Sequence, residues 1–441
     1  MVDGITPWGG NIDDPRSDAK KVAAFDPLSL HANFLDDPYP TYKLLRELDP
    51  IHRCPDGSYF LTRYDDLAEV YKGADFSSDK TREFGPKYGT DSPLYQHHTT
   101  SLVFNDPPLH TRVRSLLSPA FTPRALRDLE TDLVALIERL LDAAEEKGHF
   151  DLISDYASAI PVEVVGNMLG VPHADRGPLR EWSLAILGAL EPVTPPQVLE
   201  RGNNAVAAFA EYLSNLIDDR RKNPDQYADD VMARLIASYP DGDKLRDMEL
   251  IQNSIFILNA GHETTTNLIG NGVAALFENP DAFGKLKKIP DLIDTAVEEF
   301  LRFESSNQLG NRRVTRDTIV GGIEMPEGTY IHLCIGAANR DPAQFPDPEL
   351  LDTKRRPNRQ LAFATGTHAC AGMSLARLEG HIAIKRLLER FPKLSQDGLY
   401  TRGVRAQFRG FLSCPRTCYL RVEIYTRVLV SKQRSRIFIA K

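Results

Sequence analysis

Cys370 stands in the run Leu361-Ala-Phe-Ala-Thr-Gly-Thr-His-Ala-Cys-Ala-Gly-Met373, held between Gly366 and Gly372, with Phe363 upstream. An amphipathic pattern starts directly after it, through Leu375, Leu378, Ile382 and Leu387. A glycine-rich loop that leads through a cysteine into a helix lets backbone approach the sulfur closely. It also puts the positive end of the helix dipole beside the thiol, which favours a thiolate able to bind a metal. A small buried hydrophobe at a helix start is the other reading of the same residue.

Three further groupings could do chemistry. Ala260-Gly-His-Glu-Thr-Thr265 puts a glycine and a cluster of polar side chains inside an otherwise apolar helical pattern, a local conflict costing about 1 kcal/mol at the glycine alone. The Thr264 hydroxyl is placed to reach back to the Ala260 carbonyl. Glu299-Phe-Leu-Arg302 has the i,i+3 spacing of a helical ion pair. His110 and Arg114, four apart after Pro107-Pro108, fall on one face of a helix, either a solvated basic face or a pair of donors to a buried anion.

The elements that must position these groups read as mainly helical. Pro38 to Leu48 reads as a helix, Ile51 to Tyr64 as a hairpin turning at Pro55-Asp56-Gly57, and Asp65 to Lys72 as a short helix. Lys80 to Asn105, with paired His97-His98, lacks periodicity and is expected to be a long functional loop. Pro107 to Tyr239 is mostly helical, with breaks expected near Pro161, Pro172 and Pro192 to Pro196. Met248 to Glu278 is one long buried helix and Leu292 to Phe303 another; strand and turn character follows from Arg312 to Ile335. The expected architecture is one large, mainly α domain with a small β-rich part.

Composition narrows the function class. The chain has 441 residues, 42% hydrophobic and 26% charged, ordinary for a globular protein with a large core. No apolar run approaches the roughly 18 residues that span a bilayer, and Met1 to Lys20 is polar, so neither membrane anchor nor signal peptide is expected. Five scattered cysteines fit a reducing cytoplasm better than a disulfide framework. Cys414 and Cys418 have a metal-like spacing but no second pair or histidine cluster. A formal net charge of −8 gives no support to nucleic-acid binding.

The pattern Phe363-Ala364-x-Gly366-x-His368-x-Cys370-x-Gly372 closely resembles the haem-ligand signature of the cytochrome P-450 family. One position departs: glycine is usual where this chain has Ala364, and alanine there is strained if the position needs positive φ. The resemblance runs from about Asp37 to about Tyr419, with all the motifs in the expected order. It implies residues 37–420 as the catalytic domain, 1–36 as an N-terminal extension and 421–441 as a basic C-terminal extension. It implies haem b (iron protoporphyrin IX) with Cys370 as its axial ligand, Phe363 beside the sulfur, and His110, Arg114 and Arg312 on the propionates. A histidine often precedes the loop where this chain has Gln360. Thr264 would meet dioxygen and Glu263 would relay protons to it. Glu299, Arg302 and Arg355 would brace the cysteine loop. The pocket would be lined by the segment from about Tyr88 to Val103, by Phe256, Asn259 and Ala260, by Ser305 to Leu309, including Gln308, and by Gln407 and Phe408. The polar members of that list suggest a substrate with a polar handle.

The implied activity is haem-thiolate monooxygenation of a small organic substrate by O2. Electrons would come from a ferredoxin-type donor with its reductase, since the chain has no flavin, nicotinamide or iron–sulfur fingerprint. Arg112, Arg124 and Arg127 are candidate docking charges on a monomer. A peroxygenase or isomerase on the same fold, or a non-catalytic haem sensor, stays open at this point. A sensor would not need Glu263 and Thr264.

Overall fold

The computed structural model describes residues 15–227, 231–237 and 245–418. Its organising element is the 32-residue helix Asp247–Glu278, which is apolar enough to be buried nearly all round. Its first half, through Leu250, Ile255 and Leu258, joins a core shared with Val165, Phe209 and Leu213. Its second half, through Leu268, Ile269 and Val273, joins another shared with Phe300, Ile384 and Leu387. Between Leu258 and Leu268 the helix belongs to neither apolar core, and that gap is the Ala-Gly-His-Glu-Thr-Thr stretch. Gly261 sits where the helix crosses Ala159–Met168; a Cβ there would lie 3.1 Å from Val165 Cγ2.

Around this helix pack Leu109–Leu117, Pro123–Lys147, Leu179–Gly188, Pro196–Lys222, Ile293–Phe303 and Met373–Arg390. A five-stranded sheet flanks them, in the order Ile51–Arg53, Tyr59–Leu61, Tyr330–Cys334, Leu309–Val314, Phe76–Ser77. The first two strands form the expected hairpin, Ile51 opposite Leu61, with Gly57 at positive φ in its turn. Leu309–Val314 pairs antiparallel with Tyr330–Cys334. That pairing fixes Arg312 beside the cavity described below.

One expectation changes. The segment 80–105 is not irregular: it holds helices Thr81–Tyr88 and Pro93–Thr100 and a short 3₁₀ turn, Leu102–Phe104. These helices are too short to show a clear period; Ser92 caps the second by accepting from the Tyr95 N–H, and Pro93 sits in its first turn. The break expected near Pro161 falls at Ser158, between Leu152–Ala157 and Ala159–Met168, and Pro161 sits in the first turn of the second helix, where no N–H partner is needed. Described residues before 37 pack on the rest of the chain. Phe25 lies 4.9 Å from the Phe60 ring, and Phe34 lies 5.6 Å from Tyr42. The segment 421–441 lies outside the described residues.

Candidate active site

The cysteine loop is built by backbone constraints. The Cys370 N–H donates to the Phe363 carbonyl at 2.9 Å, closing the loop on itself. Gly366 has φ +74°, and a Cβ on it would lie 2.4 Å from the Tyr71 carbonyl oxygen, so only glycine fits. Ala364 also has positive φ (+53°). The departure from the usual glycine therefore carries strain of roughly 1–2 kcal/mol. The Cys370 thiol is free and half-buried on the wall of a cavity of about 340 Å³. Burial raises its pKa, against the pull of the Gly372 N–H, Arg114 and Arg377. The helix start alone does not make it a thiolate; a metal that displaces the proton must do so.

The central helix supplies Phe256, Asn259, Ala260, Gly261, Thr264 and Thr265 to the same cavity. Thr264 Oγ1 donates to the Ala260 carbonyl at 2.6 Å, across one unbroken helical turn. Glu263 does not line the cavity. Arg405 holds it, with Nη1 at 2.5 and 2.7 Å from the two carboxylate oxygens, and Arg405 is itself tied to the Leu184 carbonyl. Burial raises the Glu263 pKa and Arg405 opposes the rise.

Cations gather at one end of the cavity. His110, Arg114, Arg312 and Lys80 all line it, and the His110 ring lies 4.0 Å from that of His368. Among the described residues, none of Lys80, Arg114 and Arg312 has a carboxylate within ion-pair distance. The two nitrogens of His110 and the Lys80 ammonium are buried without any hydrogen-bond partner. Burial lowers the pKa of His110, and lowers that of His368 to about 3, so both imidazoles are neutral at pH 7. A cluster of basic side chains without carboxylate partners among the described residues, joined to an apolar slot and a cysteine, matches an apolar macrocycle that carries carboxylates and a metal.

Behind the loop, Glu299 is fully buried and its carboxylate receives Arg302 Nε and Nη2, both at 2.8 Å. Arg355 Nε reaches the two oxygens at 3.2 and 3.1 Å, and Asn358 and the Asp352 N–H complete the set. Arg302 also donates to the carbonyls of Asn339, Pro348 and Leu350, so the pair ties three chain segments together.

Of the other expected pocket residues, Leu309, Ser306, Asn307, Gln407 and Phe408 line the cavity. Gln308 does not: its amide donates to the Ser305 carbonyl and the Tyr39 hydroxyl. Ser305 is likewise spent on Leu301 and Asn339. The wall is consequently more apolar than the sequence suggests, with Val103, Phe104, Val165, Met168 and Leu187 contributing. Arg112 is paired with Glu249, whereas Arg124 and Arg127 are exposed. Cys414 and Cys418 are buried free thiols in the apolar core, and no metal-holding cluster exists among the described residues.

Sequence reasoning missed Lys80, Arg405 and Glu379. Glu379, on the helix after Cys370, is buried against the cavity beside Thr265, and burial raises its carboxyl to about 8, keeping it neutral at pH 7. Its position nine residues after the cysteine on a mixed helix face gave no signal.

Known proteins with this arrangement define the class. The family model for cytochrome P-450 matches residues 182–399. The chain is 38% identical to the vitamin D(3) 25-hydroxylase of Pseudonocardia autotrophica over 367 residues, covering 82% of this chain and 88% of that one. It is 36% identical to the biotin biosynthesis cytochrome P-450 of Bacillus subtilis (strain 168) over 371 residues, covering 82% and 91%. A solved cytochrome P-450 (BioI) in complex with hexadec-9Z-enoic acid ligated acyl carrier protein superposes with a TM-score of 0.83 at 34% identity, over 88% of this chain and all of that one. The fold and the site are thus those of a haem-containing oxidoreductase. The chain belongs to the cytochrome P-450 family of monooxygenases and binds haem b. No described helix is long and apolar enough to cross a membrane.

Proposed function

We propose that this protein inserts one atom of O2 into an unactivated C–H bond of an extended, mainly apolar organic molecule, and reduces the other atom to water. Two electrons and two protons balance the step, the electrons coming from a separate ferredoxin-type donor. Cys370 would hold the haem iron through its sulfur, and Phe363 packs over the loop beside it, with Arg377 against its ring. His110, Arg114 and Arg312 would hold the propionates. When bound, haem with a thiolate ligand supplies the electron push that activates O2.

The single observation that carries the reading is that Thr264, from the central helix, and Cys370, from the loop, line one cavity. Thr264 holds a hydroxyl at the reacting end and can pass a proton inward. Glu263 keeps a carboxylate next to it in sequence, clamped by Arg405, and delivers protons when that clamp opens. Glu299, Arg302 and Arg355 position the cysteine loop and touch no reacting atom.

The apolar wall supports a substrate with a long hydrocarbon body and one polar end near Asn259, Ser306 or Asn307. The relatives named above concern vitamin D(3) and an acyl chain on a carrier protein, and this chain is read as acting on the same broad class. Arg124 and Arg127 are the remaining candidates for docking the donor, and the enzyme is read as a cytoplasmic monomer. The test is turnover with reduced ferredoxin under ¹⁸O2, on whichever fatty acid or sterol shifts the haem spin state. One ¹⁸O atom per product molecule is expected. Product oxygen derived from water, or turnover without oxygen incorporation, contradicts the proposal.

A further inference from the structure

We propose that Lys80 anchors the cofactor: its ammonium pairs with a haem propionate. The inference rests on haem binding by Cys370. Lys80 precedes the helix Thr81–Tyr88, is 2% exposed and lines the cavity. An isolated buried ammonium costs several kcal/mol and persists only where a partner completes it. Among the described residues none is hydrogen-bonded or ion-paired to it. Its Nζ has no hydrogen-bond acceptor and lies 5.0 Å from the centre of the Tyr330 ring. Glu83, on the adjoining helix, gives its Oε1 to Arg313 Nε and Nη2 at 3.0 and 2.7 Å and makes no hydrogen bond to Lys80. Asp106 accepts from the Ser78 N–H and the Ser77 hydroxyl.

Lys80 also belongs to the right end of the cavity. Lys80 and Arg312 lie close enough to act on each other electrostatically, and both line the cavity together with His110, Arg114 and Cys370. Gln360 is turned elsewhere: its amide nitrogen donates to Glu298 at 3.2 Å, its oxygen accepts from the Ala362 N–H, and it does not line the cavity. Among the described residues, Lys80, Arg114 and Arg312 line this cavity with no carboxylate within ion-pair distance, which suits the dianionic edge of a porphyrin.

The test uses holoprotein carrying Lys80→Met or Lys80→Arg. The readouts are the rate of haem transfer to excess apomyoglobin and the propionate bending modes in resonance Raman spectra. Lys80→Met should lose haem about tenfold faster or more, the loss expected for one charge-assisted hydrogen bond, with the propionate mode shifted. Lys80→Arg should stay close to wild type in both. Wild-type haem transfer in Lys80→Met overturns the proposal, as does equal acceleration in both variants, which would mark a packing role. So does unchanged transfer combined with weakened binding of palmitate, which would put the ammonium at the substrate end. The band of the reduced, CO-bound form reports Cys370 alone and should not move in either variant, so failure of the cysteine assignment is read separately.

Discussion

Thr264→Ala should leave haem content and substrate binding intact while cutting the share of reducing equivalents that reach product by roughly tenfold to a hundredfold. The remainder should leave as hydrogen peroxide. The hydroxyl lines the cavity, and its 2.6 Å bond to the Ala260 carbonyl fixes its oxygen on the side facing the reacting end. Alanine removes the proton donor but fills the same helical position at no cost in helix propensity. Thr264→Ser keeps the hydroxyl and should retain most of the coupling. Measuring product, peroxide and consumed NADPH side by side decides the matter. Unchanged coupling in Thr264→Ala would remove the residue from the proton path and favour a peroxide-using or non-redox reaction.

Glu299→Gln should destabilise the fold by about 3–5 kcal/mol, the range for removing one partner from a buried ion network. Among the described residues, this fully buried carboxylate is the only acid holding Arg302 and Arg355, and its loss leaves two guanidinium charges without a counter-charge. Glu298→Gln is the matched control one residue away. Its pair with Arg377 is partly exposed, and losing it should cost less than about 1 kcal/mol. Urea unfolding of both variants checks the contrast. A Glu299→Gln protein within 1 kcal/mol of wild type would mean that the network does not brace the loop.

Local spacing made much of this legible. The Glu299–Arg302 pair follows from i,i+3 geometry, the Thr264 back-bond from i,i+4, and the hairpin turn from Pro-Asp-Gly. The cysteine loop announces itself because its glycines meet backbone constraints that the sequence must satisfy locally. What could not be read is what distant segments bring. Arg405 lies 142 residues from the Glu263 it clamps. Gln308 looks like a polar pocket residue until the Tyr39 hydroxyl takes its amide. Arg112 looks like a free surface charge until Glu249 meets it. Lys80 opens a segment whose helices are too short to leave a periodic trace, so neither its burial nor its lack of a partner could be inferred.

The reading of the cavity as a haem site depends on Cys370 binding the iron through sulfur. The spectrum of the reduced, CO-bound protein tests that directly. Wild type should show its main haem band shifted strongly to the red of histidine-ligated haem proteins, and Cys370→Ser should lose the shift. An unshifted band in folded wild type, or a red-shifted band that survives in Cys370→Ser, would contradict the assignment.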